Sequence, residues 1–223
     1  MVDIEANIRE VQRRIDRACE RSHRSPGEIT LVAITKSVDV SAIRAAFDCR
    51  IRDFGENRVQ GAEEKIVQLS DLKPDVTWHM VGHLQSNKAK AAVELFDIIH
   101  SVDSIKLAEI LSRRVEKTLP VLLEVNVSGE ATKGGFSVAE IAAVAKGIRQ
   151  LPNLKMMGLM TVAPFVADPE NVRPVFRKLR ELRDSLGLEH LSMSMTDDFE
   201  VAIEEGATMI RIGRAIFGER RQQ

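Results

Sequence analysis

The run Thr30-Leu31-Val32-Ala33-Ile34-Thr35-Lys36-Ser37 decides how the chain is read. Leu31, Val32 and Ile34 form an almost continuous apolar stretch with no polar face, the pattern of a strand covered on both sides in a parallel sheet. Such a strand ends at Lys36. In parallel α/β folds the carboxyl ends of the strands carry the chemistry, because the βα loops converge there. A low-dielectric site disfavours the charged form of an ammonium, which makes a lysine so placed a nucleophilic, imine-forming amine. Alternatively, the stem of Lys36 lines the sheet edge and its head reaches water. The run alone leaves both readings open.

Outward from this run, strand and helix patterns alternate. Before it, Asp3 to about Ser22 places Ile4, Ile8, Val11, Ile15 and Ala18 at helical spacing behind an N-cap aspartate, an amphipathic helix preceding the first strand. After it, Asp39 or Ser41 caps a helix through about Cys49. Further strand-like runs fall at 51–54, 76–81, 98–100, 120–127, 154–161, 191–195 and 208–212. Between them lie helical stretches at 58–69, 86–95, 103–117, 137–149 and 174–186, and a short one from Asp197. With no composition break across residues 1–223, the expected fold class is α/β: a single-domain (β/α)8 TIM barrel with an extra N-terminal helix. An open doubly wound sheet is the alternative, but the first βα turn lacks Gly-x-Gly-x-x-Gly and no P-loop motif occurs.

Composition removes several function classes. The 32 basic and 33 acidic residues are mixed along the chain for a net charge of −1, and aromatics are 4%, so there is neither a broad positive field nor a set of stacking platforms for nucleic acid. Asp3, Glu5, Arg9, Glu10, Arg13 and Arg14 interrupt the first turns, leaving no apolar core for a signal peptide, and no later run approaches a membrane span. The expected location is therefore the cytoplasm. Cys19 and Cys49 fall in helical segments without Cys-x-x-Cys spacing and read as reduced thiols. The chain contains no tyrosine.

The predicted strand ends carry Lys36, Asn57, His79, His100-Ser101, Asn126, Met160-Thr161, Ser192 to Thr196, and Arg211 to Arg214. Carboxylates are scarce there. Glu56 is the nearest, and Asp197-Asp198 read as charges on the N-terminus of the following helix, so a paired-carboxylate hydrolase is poorly supported. His79 and His83 are four apart across a strand end, without the glutamate of His-Glu-x-x-His, which argues against zinc. His100 reads as a hydrogen-bonded histidine at the barrel mouth. Ser192 to Asp197 and Arg211 to Arg214 supply hydroxyls, backbone N–H groups and a glycine in the loops after the last two strands, the recurrent phosphate site of these barrels. A phosphate opposite an imine-forming lysine suggests pyridoxal 5′-phosphate, or a phosphorylated aldehyde or ketone in an aldolase.

Val32 to Lys36, Phe54 to Gln60, Trp78 to Lys88, Gly158 to Thr161 and Arg211 to Gly213 resemble the YggS/PROSC family of pyridoxal phosphate homeostasis proteins, a similarity that spans essentially the whole chain. The resemblance implies a fold-type III barrel like the N-terminal domain of alanine racemase, without that enzyme's β-domain. It also implies a cytosolic protein that has no established catalytic activity and influences vitamin B6 metabolism. By position, Lys36 matches the family's Schiff-base lysine and Arg211 the arginine facing the pyridine nitrogen. Gly213 and the backbone of Arg214 match the phosphate-binding turn, Ser192 and Thr196 fall in the phosphate loop, and Asn57 and Met160 stand beside the cofactor. Lys133 matches a loop lysine implicated in a second mode of vitamer binding. Three positions depart from the pattern: Ser194 replaces a usual glycine, Thr196 a serine, and Arg214 a serine or threonine.

An arginine facing the pyridine nitrogen disfavours its protonation and makes the ring a poor electron sink. The tyrosine that acts as acid and base in racemases of this fold has no counterpart in the chain, and no C-terminal domain is expected to exclude water from the cofactor. The expected function is reversible binding of pyridoxal phosphate on Lys36 by a monomer that takes other B6 vitamers and delivers the cofactor to apo-enzymes. A weak amino-acid racemase or decarboxylase and a Schiff-base aldolase are the alternatives.

Overall fold

In the computed structural model, which describes residues 2–218, strand β1 (Thr30–Ile34) lies in parallel between β2 (Asp53–Glu56) and the last strand, β9 (Met209–Ile212). Sheet order continues from β2 through β3 (Thr77–Met80) to β4 (Ile98–Val102). From β9 it continues through β8 (His190–Ser192) and β7 (Leu154–Met160) to β5 (Leu119–Asn126). Pairing of β4 with β5 closes the sheet into a parallel barrel, and the two-residue β6 (Phe136–Ser137) attaches to the end of β5 at the rim. Helices α1 (Ile4–Arg21), α2 (Val40–Asp48), α3 (Val59–Gln68), α4 (Ala89–Leu95), α5 (Ile105–Arg114), α6 (Ile141–Ile148), α7 (Arg173–Ser185), α8 (Phe199–Glu204) and α9 (Arg214–Phe217) surround it. The fold is the expected α/β TIM barrel with an N-terminal helix.

That N-terminal helix has a structural job. The helix after the last strand, α9, has only four residues, too short to cover β9 and β1. Helix α1 packs beside α2, α8 and α9 and fills the eighth helix's place with Ile8, Val11, Ile15, Ala18 and Cys19 buried. Full burial of each such Ile or Val contributes about 2 kcal/mol. Asn7 Nδ2 donates to the Ile216 carbonyl at 2.9 Å, and Arg14 pairs with Glu200. The caps predicted at Asp3 and Asp39 are made, accepting from the N–H groups of Ala6 and Ala42, and Ser104 caps the fifth helix by accepting from Leu107.

Boundaries differ where the backbone turns. The first strand stops at Ile34, two residues before Lys36, because Ser37 turns the chain at φ +62°. The second begins at Asp53 rather than residue 51, since Arg50 has φ +69° and the Ile51 N–H still bonds the Ala46 carbonyl of the preceding helix. Strand β8 ends at Ser192 rather than 195, because Ser194 has φ +91°. Asp198 does not cap α8: its carboxylate turns back and accepts the Met195 N–H at 2.6 Å. Both cysteines are free thiols, Cys19 buried and Cys49 partly so. Among the described residues no helix is long and apolar enough to cross a membrane.

Strand alternation fixes which side chains fill the barrel. A Cβ at Gly55 would stand 2.6 Å from Ile34 Cδ1 and 3.0 Å from Val32 Cγ1, so both those side chains project inward. Gly158 of β7 lets β8 close against it, for a Cβ there would lie 2.0 Å from the His190 carbonyl oxygen. Backbone cannot yield as a side-chain tip does. Gly158→Ala is expected to cost about 3 kcal/mol, read as a lower urea midpoint at unchanged slope; an unshifted midpoint would contradict this closure.

Candidate functional site

At the exit of β1 the chain is clamped from below. The Thr35 N–H donates to the Gly55 carbonyl at 2.9 Å, and Thr35 Oγ1 donates to Glu56 Oε1 at 2.7 Å. Lys65, reaching in from α3, donates to the same carboxylate oxygen at 2.6 Å and to the Thr35 carbonyl at 2.6 Å. The Glu56 side chain is 2% exposed, so its charge is matched by a cation inside the protein. The peptide immediately before Lys36 is thereby fixed, while Lys36 itself is exposed. Lys36 shares the strand parity of Val32 and Ile34. With Ser37, Glu56, Asn57, Arg58, Gly61 and Lys65 it lines a cavity of about 250 Å³.

Inside the barrel, Arg211 of β9 is buried and donates through its two terminal nitrogens to Ser192 Oγ at 2.6 Å and the Thr161 carbonyl at 2.9 Å. Burial pulls its pKa down to about 10, with Asp198 and Glu124 opposing the fall, so the guanidinium remains charged at neutral pH. Ser192 Oγ also lies 2.8 Å from His100 Nδ1. His100 is wholly buried rather than placed at the mouth, and burial first, then His79 and Arg211, hold its pKa well below the ordinary histidine value. His100 Nε2 is 2.8 Å from His79 Nδ1, and His79 Nε2 is 3.0 Å from Asp53 Oδ1. His83, by contrast, points away to Asp103.

The loop after β9 lies beside the exit of β1, and the loop after β8 meets it through the Arg214–Asp197 pair. Gly213 packs so closely there that a Cβ would be 3.2 Å from the Ile34 carbonyl oxygen. Ser194 is 2% exposed and its Oγ has no hydrogen-bond partner among the described residues. An orphaned buried hydroxyl costs about 1–3 kcal/mol, and a residue other than glycine at positive φ costs roughly 1–2 kcal/mol more. Both penalties fall on one residue. Thr196 is half-buried, and Arg214, exposed, pairs with Asp197. Asp198 is held above the usual aspartate range by burial, partly offset by the Met195 N–H and Arg211.

The predicted site residues therefore occupy consecutive strands: Asn57 after β2, Lys36 after β1, Arg211 and Gly213 on and after β9, Ser192 on β8, and Met160 on β7. One is placed differently from expectation: Ser192 lies in the barrel interior between Arg211 and His100. Met160 is buried in a small apolar cluster with Leu122 and Met209. Lys133 stands in the loop before β6, donating to Glu130 and to the Val162 carbonyl. Sequence reading missed Lys65, Asp53 and the inward course of His79. No motif marks them, although strand parity from Gly55 gives the direction of His79.

An amine at one strand exit, a buried guanidinium on the neighbouring strand and an unsatisfied hydroxyl in the loop after the next strand are the groups that chemistry on an anionic carbonyl compound would need. The family model described as alanine racemase, N-terminal domain, matches residues 3–221. A pyridoxal phosphate homeostasis protein of Aquifex aeolicus is 46% identical over 220 residues, covering 95% of this chain and 96% of that one. One from Pseudomonas aeruginosa is 43% identical over 225 residues, covering 99% and 97%. PipY of Synechococcus elongatus, solved with pyridoxal phosphate bound, is 37% identical with a TM-score of 0.81, covering 92% of this chain and 100% of that one. The chain belongs to the pyridoxal phosphate homeostasis family, whose barrel is the alanine racemase N-terminal domain.

The orphaned hydroxyl and the left-handed backbone give one test of the loop. Ser194→Gly removes both penalties at the cost of about 0.5–1 kcal/mol of added unfolded-chain entropy, and is expected to raise stability by about 1–3 kcal/mol, measured by urea unfolding without ligand. A loss of stability would show that Oγ is partnered in the folded protein.

Proposed function

We propose that this protein, acting as one domain over residues 1–223, holds pyridoxal 5′-phosphate reversibly on Lys36 and buffers or delivers it in the cytoplasm without robust amino-acid turnover. The observation that carries this reading is the placement of Lys36, Arg211 and the unsatisfied Ser194 on or after the consecutive strands β1, β9 and β8, in a relative of PipY. When bound, pyridoxal phosphate supplies an aldehyde that condenses with a primary amine, releasing one water. The chain's own residues do the rest. Lys36 provides that amine, and the Thr35–Glu56–Lys65 clamp fixes its backbone.

Ser194, Thr196, Gly213 and the backbone of Arg214 take the phosphate. Ser192 has its hydroxyl engaged by His100 and Arg211 and serves to hold the guanidinium instead. Arg211 would hold a cation against the cofactor's pyridine nitrogen and oppose its protonation. Asn57 and Met160 would stand beside the cofactor, and Lys133 would offer a second vitamer site. No tyrosine is present to act as the opposing acid. The protein works as a monomer whose recipients are apo-forms of pyridoxal phosphate enzymes.

Loaded protein should reactivate such an apo-enzyme faster than the same concentration of free pyridoxal phosphate. Lys36→Ala should lack the visible absorption band and bind at least ~100-fold more weakly, about 2.7 kcal/mol. Reactivation no faster than with free cofactor would contradict delivery. Amino-acid racemisation abolished by Lys36→Ala would contradict the non-catalytic reading.

A further inference from the structure

The interior chain Arg211, Ser192, His100, His79, Asp53 crosses five strands of the barrel, β9, β8, β4, β3 and β2, through contacts of 2.6, 2.8, 2.8 and 3.0 Å. Its two ends differ in kind. A guanidinium only donates, and an ionised carboxylate only accepts. Between them, the described partners of Ser192 Oγ are Arg211 and His100. If His100 Nδ1 carried a proton, both neighbours would donate to Ser192 and its own hydrogen would be left unpaired in a fully buried place. Ser192 therefore donates to His100 Nδ1. The neutral His100 then donates from Nε2 to His79 Nδ1, and His79 donates from Nε2 to Asp53. Every donor is used once and in one direction.

We propose that Asp53, His79 and His100 are positioning residues for the cofactor site: a one-way hydrogen-bond column, anchored by the Asp53 carboxylate at the start of β2, commits the Ser192 hydrogen away from Arg211 and so holds the guanidinium toward the ligand. Asp53 opens its strand, at the opposite barrel end from Lys36, and its side chain is 29% exposed. It touches no ligand and acts only through the column. The inference rests on the reading that Arg211 faces bound pyridoxal phosphate.

The column is tested in the full chain, first without ligand. Long-range ¹⁵N–¹H spectra of labelled protein at neutral pH should show both imidazoles as Nε2–H tautomers; either one as Nδ1–H or doubly protonated would overturn the proposal. A side-chain amide still accepts from His79 but carries no charge, so Asp53→Asn leaves the direction set by Arg211 and Ser192 and weakens the anchor. That variant should keep both Nε2–H tautomers, bind pyridoxal phosphate ~3–10-fold more weakly and shift the visible absorption maximum. Asp53→Glu, which restores a charged acceptor, should recover affinity and spectrum and separates positioning from a folding defect. Wild-type affinity or spectrum in Asp53→Asn, or loss of its Nε2–H tautomers, would overturn the proposal. Wild-type protein that takes up no pyridoxal phosphate would instead overturn the reading beneath it, while the tautomers still decide the column.

Discussion

Arg211 is a charged guanidinium buried inside a closed barrel, and much of the interior is arranged around it. Transfer of an unpaired charge from water into protein costs several kcal/mol. Here the Ser192 hydroxyl and the Thr161 carbonyl accept from it, and Asp198 and Glu124 supply opposing charge. Barrels of this kind commonly fill their centre with layers of branched apolar side chains. This one gives the space to Arg211, Ser192, His100 and His79, leaving Leu122, Met160 and Met209 as a small separate cluster. The extensive hydrophobic core lies outside the strands, between sheet and helices, and includes the face contributed by α1.

Stability and function are thus divided between two layers. The outer layer tolerates a polar centre because it buries Trp78, Phe54, Phe176 and Phe199 independently of it. The inner layer carries charge and hydrogen bonds to the rim. At β1 a second device of the same type operates, with Glu56 buried beneath Thr35 and satisfied by Lys65. Both devices use a buried ionic group to fix backbone or side chain at a strand exit, and both leave the exposed Lys36 amine outside the paired charges.

The barrel was legible because Leu31, Val32 and Ile34, together with seven later runs, carry strand signals at regular spacing, and because Asp3, Asp39 and Ser104 cap as local chemistry requires. The candidate site residues were legible as positions near strand ends, and the family resemblance suggested the roles proposed for them. What escaped were features fixed by closure. Ser192 reads as a phosphate-loop hydroxyl until the register of β8 against β9 places it beside Arg211. His79 and His100 lie 21 residues apart and meet only across β3 and β4. Asp198 looks like a helix cap, yet the turn at Ser194 directs it back to Met195. The substitution of serine for glycine at 194 marked that turn without revealing its φ.

The central claim is that Lys36, rather than another amine at the rim, is the residue to which pyridoxal phosphate attaches. Borohydride reduction of the loaded protein followed by peptide mass mapping tests it most directly. The account predicts one reduced pyridoxyl phosphate increment on the peptide containing Lys36. An increment on the peptide of Lys65 or Lys133, with Lys36 unmodified, would contradict it.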